Sequence, residues 1–373
     1  MIIYNSMIIW IVVLGIWNYL VMQARQKTYG IQKKDIKNKV PMYLAVLTFG
    51  YIIFWVGMRT GVADTKTYIL MFENFPSSLS AIPQYWDFSE NKCPGFVTFC
   101  ILFKCFVSKD YHIWLMALAL LTGIPIILIL RKKSEHFFYS AFLFIATLEV
   151  TWMLNGMRQF WCVAIMFLVS DWIEERKTIP FIIVVLLVST IHFTALIMIP
   201  MYFVVTEKPF GKKVLLFLVF LLLAIVFLEP FIASVEGLLE ETAYAGATEQ
   251  FAQDDGVNPI RVMVMAVTPI IAFFGRKIID QKNNQFINIC VNMSVVCAGI
   301  YFLGIFTSGI LVGRLPIYFE IYNLILLPFL LKNCFTKLSS KIMFVFCTVG
   351  FLGFYWLQIQ VWYYVSDITG ILS

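Results

Sequence analysis

Apolar runs close to twenty residues long recur from one end of this chain to the other. No other feature limits its folding as much. A helix rises about 1.5 Å per residue, so about 20 apolar residues cross the roughly 30 Å hydrocarbon core of a bilayer. The first run, Ile2 to Met22, contains no charged residue. It lacks a basic leader and a small-residue cleavage site, so it reads as a retained helix and not as a signal peptide. Spanning segments are predicted near 2–22, 41–58, 111–130, 137–154, 157–173, 214–233, 259–275, 286–306, 314–331 and 341–364. Only 13% of the 373 residues are charged and 61% are hydrophobic, whereas soluble proteins carry about 25% charged residues. The expected class is an all-α polytopic membrane bundle, a single transmembrane domain over 1–373.

Charge orients the segments. Sorting by side leaves 20 of the 28 Lys and Arg residues on one side, and Arg59, Lys66, Lys92, Lys104, Lys109, Arg158, Arg261 and Arg314 on the other. The positive-inside rule makes the first side cytoplasmic and puts both termini outside. The net charge of +6 is therefore a membrane signal, and nucleic acid is not expected as a partner. The run 179–205 has basic flanks at both ends, "EERK" and "TEKPFGKK", so it is expected to enter and return as a short helical hairpin with His192 at its tip. This gives ten spanning helices plus the hairpin, about 12 membrane segments. "GFVTFCILFKCFVS" at 95–108 is too short to cross and has Phe96, Phe99, Phe103 and Phe106 at helical spacing, which predicts an interfacial helix within an outer loop over 59–110. A second outer loop, 234–258, is acidic.

Four of the outer-side cations, Arg59, Arg158, Arg261 and Arg314, sit at the outer ends of predicted helices, at similar depth. Guanidinium forks suit phosphate oxygens, so the four are read as a shared diphosphate site. Arg261, in "NPIR", also fits a simple helix start. Candidate bases are Asp64, His192, Glu149 and Glu320; Asp64 and Tyr68 share a helical face if the chain is helical from 64. Asn155 and Gln159 are neutral donors beside Arg158, and Gly156 allows a tight turn. The eight cysteines read as small buried hydrophobes, and "DD" at 254–255 as a loop feature. The chain has no P-loop, dinucleotide fingerprint or HExxH.

Four stretches in order, "GMRTGVADTKTY" (57–68), "NGMRQ" (155–159), "STIHFTALIMIPMY" (189–202) and "GRLPIYFEIYNLILLP" (313–328), together resemble the EpsG family of bacterial exopolysaccharide polymerases, similar in role to Wzy-type enzymes. The resemblance implies a GT-C-like membrane glycosyltransferase of the cytoplasmic (inner) membrane. It implies no metal or cofactor, and it implies undecaprenyl-diphosphate-linked glycans as donor and acceptor. A chain-length regulator is a candidate partner beside the bilayer itself. The implied product is exopolysaccharide, capsule or O-antigen; the alternatives are an O-antigen ligase-type transferase or a lipid-linked oligosaccharide flippase. Its implications fall on Arg59, Asp64, Tyr68, Asn155, Arg158, Gln159, His192 and Arg314. Two departures stand out: Cys93-Pro94-Gly95 where the family often has Glu-Pro-Gly, and Thr194 where Ser is usual after the histidine.

Overall fold

The computed structural model describes residues 1–29, 39–87, 91–227, 256–307, 309 and 312–371. Most of the predicted acidic loop, 234–255 with its "DD" pair, lies outside the described residues, as do Lys33, Lys34 and Lys37. The helices are α1 Ile2–Tyr29, α2 Met42–Gly57, α3 Thr65–Asn74, α4 Pro94–Phe106, α5 Tyr111–Lys133 and α6 Phe137–Ala146. They continue as α7 Glu149–Trp152, α8 Met157–Leu168, α9 Asp171–Glu174, α10 Thr178–Ser189, α11 Met198–Val205 and α12 Lys212–Val226. The last are α13 Pro259–Phe274, α14 Arg276–Lys282, α15 Gln285–Ile305, α16 Ile317–Glu320, α17 Asn323–Asn333 and α18 Lys337–Ile359. Among the described residues, one isolated bridge between Ser366 and Ile371 is the only extended pairing.

Four of these, Ile2–Arg25, Tyr111–Lys133, Gln285–Ile305 and Lys337–Ile359, are long and apolar enough to cross a membrane. Pro259–Phe274 with Arg276–Lys282 makes a fifth if the pair, bent by 68°, is taken as one span. The other predicted spans are shorter or broken. The 137–154 run splits into α6 and α7 because Leu148 takes a left-handed conformation at φ 67. The 157–173 run splits into α8 and α9 around Val169 and Ser170.

The long helices differ in role. In α15 and α5, 78% and 61% of the apolar window is buried inside the protein, against 17% in α1 and 28% in α18. The first two are therefore the bundle's axis and the last two its rim. Exposed residues on the rim are apolar: Ile9, Val12, Val13, Ile16, Trp17 and Leu20 on α1, and Val345, Phe346 and Val349 on α18. Contiguous apolar surface of this size needs a partner, and with runs of spanning length that partner is lipid. The protein is an integral membrane protein.

α5 has 23 residues, about 34 Å at 1.5 Å per residue, and connects two chemically different ends. At its last turn Lys132 and Lys133 pair with Asp171, and Lys133 also with Glu174. Lys332 pairs with Glu135 at the same end. At its first turn His112 contacts Asp110 and Asp367, and the C-terminal strap closes over the start of the 58–64 loop through Thr60 N to Val365 O, 2.8 Å. α10 and α11 fold back on each other: Thr178 Oγ1 lies 2.9 Å from Tyr202 Oη, and the Arg176 guanidinium donates to the Thr206 carbonyl. His192 follows α10 in the turn between them. α4 packs Phe96, Cys100 and Phe103 against Phe72 and Trp114.

Candidate diphosphate site

The turn that carries Arg158 is made by two backbone features. The stretch after α7 runs through Gly156 at φ 70, a left-handed conformation that glycine adopts without strain. α8 then begins, so Arg158 stands in the first turn of a 12-residue helix. First-turn N–H groups have no intrahelical acceptor, and the helix dipole favours an anion there. Arg158 is half-buried. Its Nε donates to Tyr68 Oη at 3.2 Å, and its guanidinium lies over the Tyr68 and Phe96 rings at 5.5 and 5.6 Å. α3 and α4 thus form an aromatic shelf that fixes the direction of the cation.

The hairpin tip meets this shelf. Gly95 at the start of α4 donates its N–H to the Thr190 carbonyl at 2.9 Å, and a Cβ at position 95 would lie 2.1 Å from Thr190 Oγ1. Only glycine permits that approach. Two residues on, His192 Nδ1 lies 2.8 Å from Thr194 Oγ1. The same hydroxyl receives Gln159 Nε2 at 3.0 Å and lies 3.2 Å from Tyr318 Oη. Gln159 also donates to the Arg314 carbonyl at 3.1 Å, which ties the 312–316 turn to α8. The half-buried His192 ring lies within electrostatic reach of both Arg158 and Arg314. Arg158, His192 and Arg314 therefore share one electrostatic neighbourhood. Arg314 is half-buried, and its guanidinium makes no hydrogen bond or ion pair among the described residues.

Arg158, Arg314, the His192 ring and the α8 N-terminus lie at one end of the bundle, a charge pattern suited to an anion. Residues 42–366 match the EpsG family. The chain belongs to that family. No curated protein and no solved structure matches it. EpsG membership implies a membrane polysaccharide polymerase-like function, and hence a glycosyltransferase-like enzyme.

The other candidate residues of this EpsG-family chain divide clearly. Asp64 immediately precedes α3, and the Tyr68 N–H donates to its carbonyl at 3.1 Å, so the two residues are one turn apart on one face. The Asp64 carboxylate is half-buried, with no hydrogen bond or ion pair among the described residues. Asn155 Oδ1 is buried without a partner among them, one residue before Gly156. Arg59 is 1% exposed, and its donors are used internally: Nε to Thr65 Oγ1 at 3.2 Å, and the terminal nitrogens to the Val56 carbonyl and Met157 Sδ. It braces the 58–64 loop against α8.

Arg261 belongs to a second cluster. It meets both Glu320 oxygens at 3.1 and 3.2 Å and Tyr301 Oη at 3.1 Å, and it lies over Trp152 at 5.6 Å. Glu149, one of the candidate bases, lies within electrostatic reach of Glu320 and Arg261. It is fully buried, and both of its carboxylate oxygens are unpartnered among the described residues. Among the described residues, no group of three or more His, Cys, Asp or Glu side chains converges as a metal site would require. Sequence reasoning did not single out Tyr318 or the shelf role of Phe96. Both lie in or beside the quoted stretches, but nothing in the sequence pairs them with Thr194 and Arg158.

Proposed function

We propose that this protein polymerises undecaprenyl-diphosphate-linked oligosaccharide repeat units at the outer face of the bacterial cytoplasmic membrane, for exopolysaccharide, capsule or O-antigen. The basic end of the bundle, with Lys132, Lys133, Arg176 and Lys332, faces the cytoplasm. The chain then crosses ten times, with the 179–205 hairpin entering and returning and α4 lying at the outer interface. The donor is a growing glycan on the lipid diphosphate. The acceptor is a hydroxyl of a single lipid-linked repeat unit.

In the reaction, the bond from the anomeric carbon to the diphosphate oxygen breaks, and its electron pair leaves with the undecaprenyl diphosphate. The acceptor oxygen forms the new glycosidic bond, and its proton passes to Asp64. The diphosphate is already a good leaving group, so the main catalytic demand is stabilisation of the charge it gains, which preorganised donors supply. Arg158 and Arg314 serve this role, aided by the α8 N-terminus. Tyr68 and Asn155 position the ligand and its guanidinium clamp, and Tyr85 and Trp86 offer faces for stacking on sugars. No step requires a metal.

The observation that carries this reading is the grouping of Arg158, His192 and Arg314 around one hairpin tip. The test is the size of the glycans in cells lacking the protein. Polymerase loss leaves single repeat units on lipid or at the surface. Absence of all translocated units would point to a flippase, and full-length but unattached chains to a ligase; either outcome refutes the proposal.

A further inference from the structure

The Thr194 hydroxyl sits at the centre of a hydrogen-bond network whose proton positions can be worked out. A hydroxyl offers one proton and two lone pairs. Thr194 has three neighbours: Gln159 Nε2, His192 Nδ1 and Tyr318 Oη. Gln159 can only donate. Its amide orientation is fixed because the same nitrogen faces the Arg314 carbonyl, which can only accept. One Thr194 lone pair is thereby used. The remaining lone pair and proton are shared between the phenol and the imidazole.

Tyr318 is 1% exposed, so its proton must be accommodated inside the protein. If it donates to Thr194, the Thr194 proton goes to His192 Nδ1. In the reverse arrangement, the tyrosine proton would fall to Cys162, whose sulfur is a weak acceptor. The oxygen acceptor is preferred. His192 Nδ1 is then an acceptor, and the proton of the neutral ring resides on Nε2. That nitrogen has no hydrogen-bond partner among the described residues, and the ring is only half-buried.

We propose that Thr194, with Tyr318 and Gln159 behind it, is a positioning residue that holds His192 as the neutral Nε2–H tautomer, so that the ring donates a hydrogen bond to the departing diphosphate and does not take the acceptor's proton. A neutral donor adds a third contact to the anion between Arg158 and Arg314 without adding a third mutually repelling cation. The chemical role rests on the polymerase reading; the tautomer does not.

The experiment therefore has two arms. The first is nitrogen NMR of the full-length protein, ¹⁵N-histidine-labelled in lipid vesicles. The chain has three histidines, and His192→Gln identifies the resonances of the one in question. Wild type and Thr194→Ser are expected to carry the His192 proton on Nε2, and Thr194→Val to lose that preference. A wild-type proton on Nδ1 overturns the inference whatever the reaction is. The second arm measures chain formation from lipid-linked repeat units extracted from cells that lack the protein. Thr194→Ser should stay within about twofold of wild type, and Thr194→Val should fall about tenfold, the worth of one hydrogen bond. His192→Gln, which keeps an N–H near the Nε2 position, should retain at least about a tenth of the rate, since loss of a general base costs about 100- to 10,000-fold. A base-sized loss in His192→Gln at normal folded yield overturns the donor role. No chain formation by wild type, with the Nε2 proton observed, overturns the polymerase reading alone.

Discussion

Arg158→Lys is the sharpest perturbation of the anion site, because it keeps the charge and removes the fork. In the structure the arginine uses Nε to hold Tyr68 Oη at 3.2 Å, and the planar guanidinium fork suits paired donation to phosphate oxygens. Lysine has a single ammonium on a flexible stem, so it loses one of the paired bonds to the anion. A hydrogen bond to a charged group is worth about 1.5–3 kcal/mol. With about 1.36 kcal/mol per factor of ten in rate, the expected fall is roughly 10- to 150-fold. Tyr68→Phe isolates the anchor: it keeps the ring beneath the guanidinium and removes one neutral acceptor. That is worth about 0.5–1.5 kcal/mol, or roughly 2- to 13-fold. The assay is the rate of glycan lengthening at equal amounts of inserted protein. If Arg158→Lys lengthens chains at the wild-type rate, the arginine is only a surface charge and the site has been assigned to the wrong residue.

One further outcome follows from the second cluster. Glu320→Gln leaves Arg261 buried beside a neutral amide, and breaking a buried pair costs about 3–5 kcal/mol; thermal unfolding in detergent should show a large loss, partly recovered by pairing it with Arg261→Gln.

The helical membrane class was legible because apolar runs of spanning length leave few alternatives. The breaks were not legible. Leu148 is an ordinary apolar residue in sequence, and nothing local marks the left-handed conformation that divides α6 from α7. The four helix-end arginines look alike in the sequence, and the difference between them is tertiary. Arg59 is bound to Met157, 98 residues away, and Arg261 to Glu320, 59 away, whereas Arg158 and Arg314 lie within electrostatic reach of His192. Glu149 stands close to Arg158 in the sequence, yet it is grouped with the Arg261 cluster. The Thr194 network depends on Tyr318, 124 residues away, a pairing no local pattern reveals.

The central claim is that this one chain joins lipid-linked repeat units. It is tested most directly by reconstituting the purified protein in vesicles with repeat units extracted from cells that lack it, and separating the products by length. The account predicts a ladder of longer lipid-linked glycans with matching release of undecaprenyl diphosphate, abolished by Arg158→Ala together with Arg314→Ala. Repeat units that remain single with the wild-type protein folded and inserted, or a ladder undiminished in the double variant, would contradict it.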